Sequence, residues 1–437
     1  MSNKDTGAMN KESNEKRALV PRLRFPEFRG AGEWKAEPLR KLAQRCTSKN
    51  AKGEHTRVLT NSAEYGVVDQ RDYFEKDIAN QGNLEGYYIV EKGDYVYNPR
   101  MSTSAPVGPI SKNNVGTGVM SPLYTVFRMT GSDNDFFAHY FKSTHWHHYM
   151  RQASSTGARH DRMSITNDDF MGMPLPVSTP KEQQKIADCL SSLDDLIAAE
   201  SQKLGALKVH RKGLMQQLFP SVGETVPRVR FPEFRDAGEW ESMPFERLVV
   251  RSFYGTSSST SESGQYPVLR MGNMVDGGLD FSNLAYIDLD PDSFEKIRLI
   301  RGDILLNRTN SLDLVGKISM FDRDVECIAA SYIVTYRLDE KQIVPAFCNL
   351  MLNTQQYQKK IKALARPSIS QANINPTTFR NELVVSVPKI AEQQRIISCL
   401  SALGNLITAQ SQKINALKAH KKGLMQQLFP VMAEVQA

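Results

Sequence analysis

The stretch EQQKIADCLSSLDDLIAAESQKLGALKVHRKGLMQQLFP, residues 182–220, returns 210 residues later as EQQRIISCLSALGNLITAQSQKINALKAHKKGLMQQLFP, residues 392–430. Of the 39 aligned positions, 27 are identical. Neither copy contains a proline before its last residue, and apolar side chains recur at spacings of three and four. Ile186, Leu190, Leu193, Ile197, Leu204, Leu207, Leu214 and Leu218 form one stripe. Ile396, Leu400, Leu403, Ile407, Ile414, Leu417, Leu424 and Leu428 form its copy. A period of 3.5 residues sustained in this way is the signature of a coiled coil. About 38 residues rising ~1.5 Å each predict a helix of roughly 57 Å. Each stripe is broken twice, by Glu200 and Arg211 in the first copy and by Gln410 and Lys421 in the second. Polar residues in an apolar seam lower stability but fix register. Glu200 opposite Lys421, and Gln410 opposite Arg211, require the helices to run antiparallel, which is the expected arrangement.

A second block is also duplicated: PRLRFPEFRGAGEW at 21–34 and PRVRFPEFRDAGEW at 227–240. The chain therefore runs opening block, variable region, helical block, and then the same three again. The variable regions diverge but share a skeleton. Gly93-Asp94 matches Gly302-Asp303, Asn98 matches Asn307, VGPIS (107–111) matches VGKIS (315–319), Phe127-Arg128 matches Tyr336-Arg337, and Phe170 matches Phe379. Short β-rich runs such as YTVFRM and SYIVTYRL alternate with helical stretches, so each region reads as one α+β domain. The predicted fold is α+β: two similar mixed α/β domains separated by two long helices in an antiparallel coiled coil, related by a pseudo-two-fold axis. The expected boundaries are a disordered tail at 1–20, domain 1 at 21–180, a central helix at 181–220, domain 2 at 221–389, a C-terminal helix at 390–430 and a short tail at 431–437.

Composition narrows the function classes. No run of about 18 apolar residues occurs, so no membrane span is expected, and the polar N-terminus lacks a signal-peptide core. Five cysteines are scattered without a CxxC pair, which fits a reducing cytoplasm better than a zinc site or disulfide framework. The net charge of +7 suits a polyanionic partner but does not establish one.

Catalytic signatures are missing. YNPRM (97–101) lacks the second proline of an amino-methyltransferase motif, and LVGKIS (314–319) lacks the upstream glycine of a phosphate loop. DPDSFEK (290–296) places Glu295 and Lys296 side by side, unlike a nuclease PD…ExK pattern. HWHHY (145–149) puts His145 and His148 three apart, but the second domain has no equivalent, so a structural role is expected and no metal site. No catalytic residue is assigned. Two unlike heads on a stiff spacer suggest a two-point reader of DNA, whose major-groove faces recur every ~34–36 Å.

The PRxRFPEF…GEW opening, the EQQ(K/R)I helix start and the KGLMQQLFP ending resemble the specificity (S) subunits of type I restriction–modification systems, the HsdS family, from about Pro21 to Pro430. The resemblance implies a non-catalytic, cytoplasmic subunit whose two variable regions are target-recognition domains for the halves of a split, asymmetric site in double-stranded DNA. It implies docking to two methyltransferase subunits and, through them, to restriction subunits. S-adenosylmethionine, ATP and Mg would sit on those partners, and no cofactor on this chain. A standalone bipartite DNA-binding protein and a coiled-coil adaptor are the alternatives.

Base readout requires Arg, Lys, Asn, Gln or Ser at groove edges. In domain 1 the candidates are Arg100 and Ser102 in PRMSTSAPVG, and Arg159 and Arg162 in STGARHDRMS. In domain 2 they are Arg308 and Asn310 in NRTNSLDLVG, and Arg366 and Gln371 in LARPSISQAN. A third pair of segments offers Asn61, and Arg270 with Asn273. The basic face Lys208, His210, Arg211 and Lys212 recurs as Lys418, His420, Lys421 and Lys422; solvated surface and a phosphate or acidic-partner contact are both open for it.

Overall fold

The computed structural model describes residues 18–73, 84–131, 135–156, 161–221, 223–367 and 371–432. The chain divides into two compact units. The first takes the chain up to Ser201 and again from Gln412 onward; the second is the continuous stretch Gln202–Ser411.

Both units are built on the same plan. In the first, a four-stranded antiparallel sheet has the order Ala43–Arg45, Thr125–Met129, Tyr95–Tyr97, Ile110–Lys112. In the second the order is Val249–Tyr254, Ile333–Leu338, Ile304–Asn307, Ile318–Met320. A two-stranded ladder closes each unit, Lys35–Pro38 on Pro174–Val177 and Glu241–Pro244 on Val384–Val387.

The shared skeleton residues hold this plan together. Arg128 grips Asp94 with bonds of 2.6 and 3.1 Å, and Arg337 grips Asp303 with two of 2.9 Å. The glycine before each aspartate has a positive φ, 95° at Gly93 and 97° at Gly302, which other residues seldom adopt. Phe170 stacks on Tyr97 at 4.9 Å, and Phe379 stacks on Tyr336 at 5.4 Å.

The expected long helices are present as α1 (Pro180–Gln217) and α2 (Ile390–Leu428). Each begins with a buried glutamate held by the opening block. Arg24 donates to Glu182 at 2.6 and 2.8 Å, and Arg230 donates to Glu392 at 2.7 and 2.7 Å. A carboxylate in the first turn also suits the positive end of the helix dipole. This pairing accounts for both repeated blocks at once, since the RFPEF arginine needs the EQQ glutamate.

The C-terminal ends of the helices explain the repeated GLMQQLFP. Met425, Leu428 and Phe429 belong to the core of the first unit, where Phe429 packs on Phe136 at 5.2 Å and Tyr140 at 5.4 Å. Leu218 and Phe219 belong to the core of the second, where Phe219 packs on Phe347 at 5.4 Å. Main-chain bonds fix both plugs: Leu23 N donates to the Gln427 carbonyl and Val229 N to the Gln217 carbonyl.

Within the first unit the start of α1 runs antiparallel to the end of α2, because Asp194 pairs with Lys421 and Glu200 with Lys413. Of the predicted seam, Leu190, Leu400, Gln410, Ile414 and Lys421 are buried. Leu193, Ile197, Glu200, Leu204, Leu207, Arg211, Leu403, Ile407 and Leu417 are half-buried. The polar pairing differs from expectation. Lys421 takes Asp194 rather than Glu200, a shift of about one heptad, because Asp194 lies beside the stripe and was not counted in it. The Arg211 Nε is buried without a hydrogen-bond partner, and Gly404 stands where the second copy would need a counterpart to Asp194.

Candidate nucleic-acid interface

In the first unit, the loop after Asn98 and the segment around Arg162 come together. Met101 N donates to the Asp161 carbonyl and Met163 N to the Pro99 carbonyl, both at 2.9 Å, and Arg100 and Arg162 face each other across an antiparallel bridge. The loop itself is set by Asn98, whose Nδ2 donates to the Asn61 carbonyl while its Oδ1 accepts from Arg100 N. Gly108 closes it: a Cβ there would lie 2.0 Å from the Asn98 carbonyl oxygen. Arg100 is 70% exposed, and its Nε stands 3.8 Å from an Asp161 oxygen. Ser102 is exposed, and its hydroxyl accepts from Ala105 N. Arg159 lies outside the described residues.

The second unit joins the corresponding segments more fully. Thr309–Asn310, Ala372–Ile374 and Ala365–Pro367 make a three-stranded antiparallel sheet. Arg308 donates to Asn373 Oδ1 at 3.3 Å, and its guanidinium lies 5.3 Å from the Tyr254 ring centre. Arg366 is exposed and in register with Asn373, Gln371 is exposed, and Asn310 Nδ2 reaches Met271 Sδ at 3.6 Å. Arg270 is exposed beside this sheet.

Two candidates do not reach the surface. Asn61 is 1% exposed, and its amide donates to the Val96 and Pro109 carbonyls at 2.7 and 3.1 Å. Asn273 is buried, accepting from Arg270 N and donating to the Asp280 and Asn283 carbonyls. Asn61 lies within the strand Leu59–Ser62 and Asn273 ends the 3-10 turn Met271–Asn273; an asparagine satisfies neighbouring main-chain groups as readily as a base, and sequence gives no sign of which. They belong to the frame under the loops. The residues that sequence reasoning missed are Asp161, Asn373 and Tyr254, whose only signal was adjacency to a chosen arginine or strand.

The histidine cluster is structural in its contacts. His145 Nδ1 shares a hydrogen bond with Ser143 at 3.0 Å, and the His147 ring packs edge-on against Trp146. Burial pushes His147 down to about 4. Among the described residues, no group of three His, Cys, Asp or Glu side chains is placed to hold a metal, and no helix is long and apolar enough to cross a membrane.

The two units share one plan, and in each of them two segments that differ between the halves of the chain meet on one polar surface. The type I restriction–modification DNA specificity domain matches residues 252–419. The proposed specificity subunit of the type I restriction enzyme MjaX of Methanocaldococcus jannaschii is 28% identical over 195 residues, covering 44% of this chain and 45% of that one. The EcoKI specificity subunit of Escherichia coli K12 is 20% identical over 317 residues, covering 71% and 66%. The chain thus spans less than two thirds of the length of either relative. A chain from a structure on complex assembly and conformational transition of the type I restriction–modification system shares the fold, with a TM-score of 0.57, 13% identity, and coverage of 91% and 97%. Over residues 252–419 this chain matches the type I restriction–modification DNA specificity domain, and its fold is that of the specificity-subunit structures.

Proposed function

We propose that this chain is the non-catalytic DNA-recognition subunit of a type I restriction–modification complex. Each unit reads one half of an asymmetric, bipartite site in double-stranded DNA, and the paired helices set the gap between halves. Two methyltransferase subunits dock on the chain, restriction subunits join through them, and the assembly works in the cytoplasm. S-adenosylmethionine, ATP and Mg belong to those partners. The reading is supported above all by one observation: the same two loops are joined in both units on a common frame, yet they present different side chains. Arg100 and Ser102 are exposed in one with Arg162 half-buried beside them, and Arg308, Asn310, Arg366 and Gln371 occupy the other. Direct base readout needs such groups on a rigid support. Arg270 is assigned to the rim of the second surface.

The test is to map the methylated sequence in cells carrying this chain with its methyltransferase subunit. A single motif of two unlike halves with a fixed gap is expected. A continuous motif, or none, would overturn the proposal.

A further inference from the structure

Resting on that function, we infer that the half-site read by the first unit contains a guanine contacted by Arg100, and that Asp161 is the residue positioning Arg100 for it. Arg100 and Asp161 are 61 residues apart and are fixed to each other through the main chain, by the Met101 N to Asp161 carbonyl bond and the Arg100–Arg162 bridge. In both arginines the guanidinium atom nearest the Asp161 carboxylate is Nε, at 3.8 Å from Arg100 and 4.0 Å from Arg162. A carboxylate nearest the Nε edge of an arginine leaves the terminal Nη donors to the ligand, and those donors match O6 and N7 of guanine in the major groove. The carboxylate also argues against the plainer role of phosphate binding. A negative charge within about 4 Å of a phosphate-binding guanidinium opposes the phosphate, whereas a base edge tolerates it.

The second unit lacks this arrangement at the corresponding loop. Arg308 meets the neutral Oδ1 of Asn373 and lies against the Tyr254 ring. The guanine assignment therefore applies to one half-site only.

The test compares the methylated motif of the full complex carrying wild-type chain, Arg100→Ala or Asp161→Asn. Arg100→Ala is expected to relax one G·C position, in one half only, by roughly 5- to 150-fold. Asp161→Asn is expected to relax the same position while affinity for unrelated DNA stays equal or rises. Both side chains are exposed, so thermal midpoints should match wild type. An even loss of methylation across all sequences in Arg100→Ala would place Arg100 on phosphates and overturn the guanine assignment. An unchanged motif in Asp161→Asn would overturn the positioning role. A wild-type motif that is not bipartite would overturn the underlying function itself, a result separable from both.

Discussion

Arg230 and Glu392, 162 residues apart, meet through two hydrogen bonds of 2.7 Å each, and the Trp240 indole donates to the same carboxylate at 3.3 Å. The first unit repeats the ion pair as Arg24–Glu182, but there the Trp34 Nε1 is buried without a partner. Hydrogen bonding to the glutamate raises the pKa of both arginines, so neither gives up its charge. Removing one partner leaves the other charge buried and uncompensated, at about 3–5 kcal/mol. Glu392→Ala and Glu182→Ala should each destabilise their own unit on that scale, with Glu392→Ala the worse because it strands the indole as well. Thermal unfolding of the two variants checks the order.

Truncating a plug should act at long range in sequence and short range in space. Phe429→Ala removes a fully buried ring from a core that includes Phe136 and Tyr140, at about 3–5 kcal/mol. Hydrogen exchange should rise over Phe136–Tyr140 and stay at wild-type level over Pro345–Leu352. Phe219→Ala should give the reverse pattern.

Acid should weaken the first unit before the second. His139 is buried, with Nε2 sharing a hydrogen bond with Ser191 at 3.0 Å. Desolvation, helped by Lys421 and Lys142 and opposed by Asp194 and Asp135, pushes its pKa from 6.5 down to about 4. The unfolded chain therefore binds more protons than the folded one between those values. The stability lent by the neutral ring is complete above pH 6.5 and is lost as the pH falls to 4, about 3 kcal/mol in all. His139→Gln should flatten the decline of the thermal midpoint over that range. A decline of equal slope in the variant would sink the assignment.

The frame and the reading surface should separate under mutation. Asn61→Ala strands the Val96 and Pro109 carbonyls, costing about 1–3 kcal/mol per buried group, with the methylated motif unchanged in the molecules that fold. Arg366→Ala, on an exposed strand, should leave stability within about 0.5 kcal/mol and alter the motif. Denaturant midpoints and motif mapping on the same two variants give the contrast.

Much of this was readable from residues alone. The duplicated stripes announced two long helices, and Glu200, Arg211, Gln410 and Lys421 marked a polar seam. The exact pairing was not legible, because a heptad pattern fixes which face is buried but not how far one helix slides along the other; Asp194, off the stripe, decided it. The segments around Arg100 and Arg162 were each chosen by residue type and position, but that they meet through the Met101 N to Asp161 carbonyl bond was not legible. The roles of Asn61 and Asn273 were not legible either, since an asparagine in sequence looks alike whether it meets a carbonyl or a base.

The plug formed by Leu428 and Phe429 also sets an order of events during synthesis. The second unit is one unbroken stretch and has all its parts once Ser411 has been made. The first unit, begun at the N-terminus, lacks part of its core until the final turn of α2 leaves the ribosome. Domains usually mature from the N-terminus as they emerge. Here the portion translated first is finished last, and a nascent chain stalled before Leu428 would hold one mature unit and one with an open core.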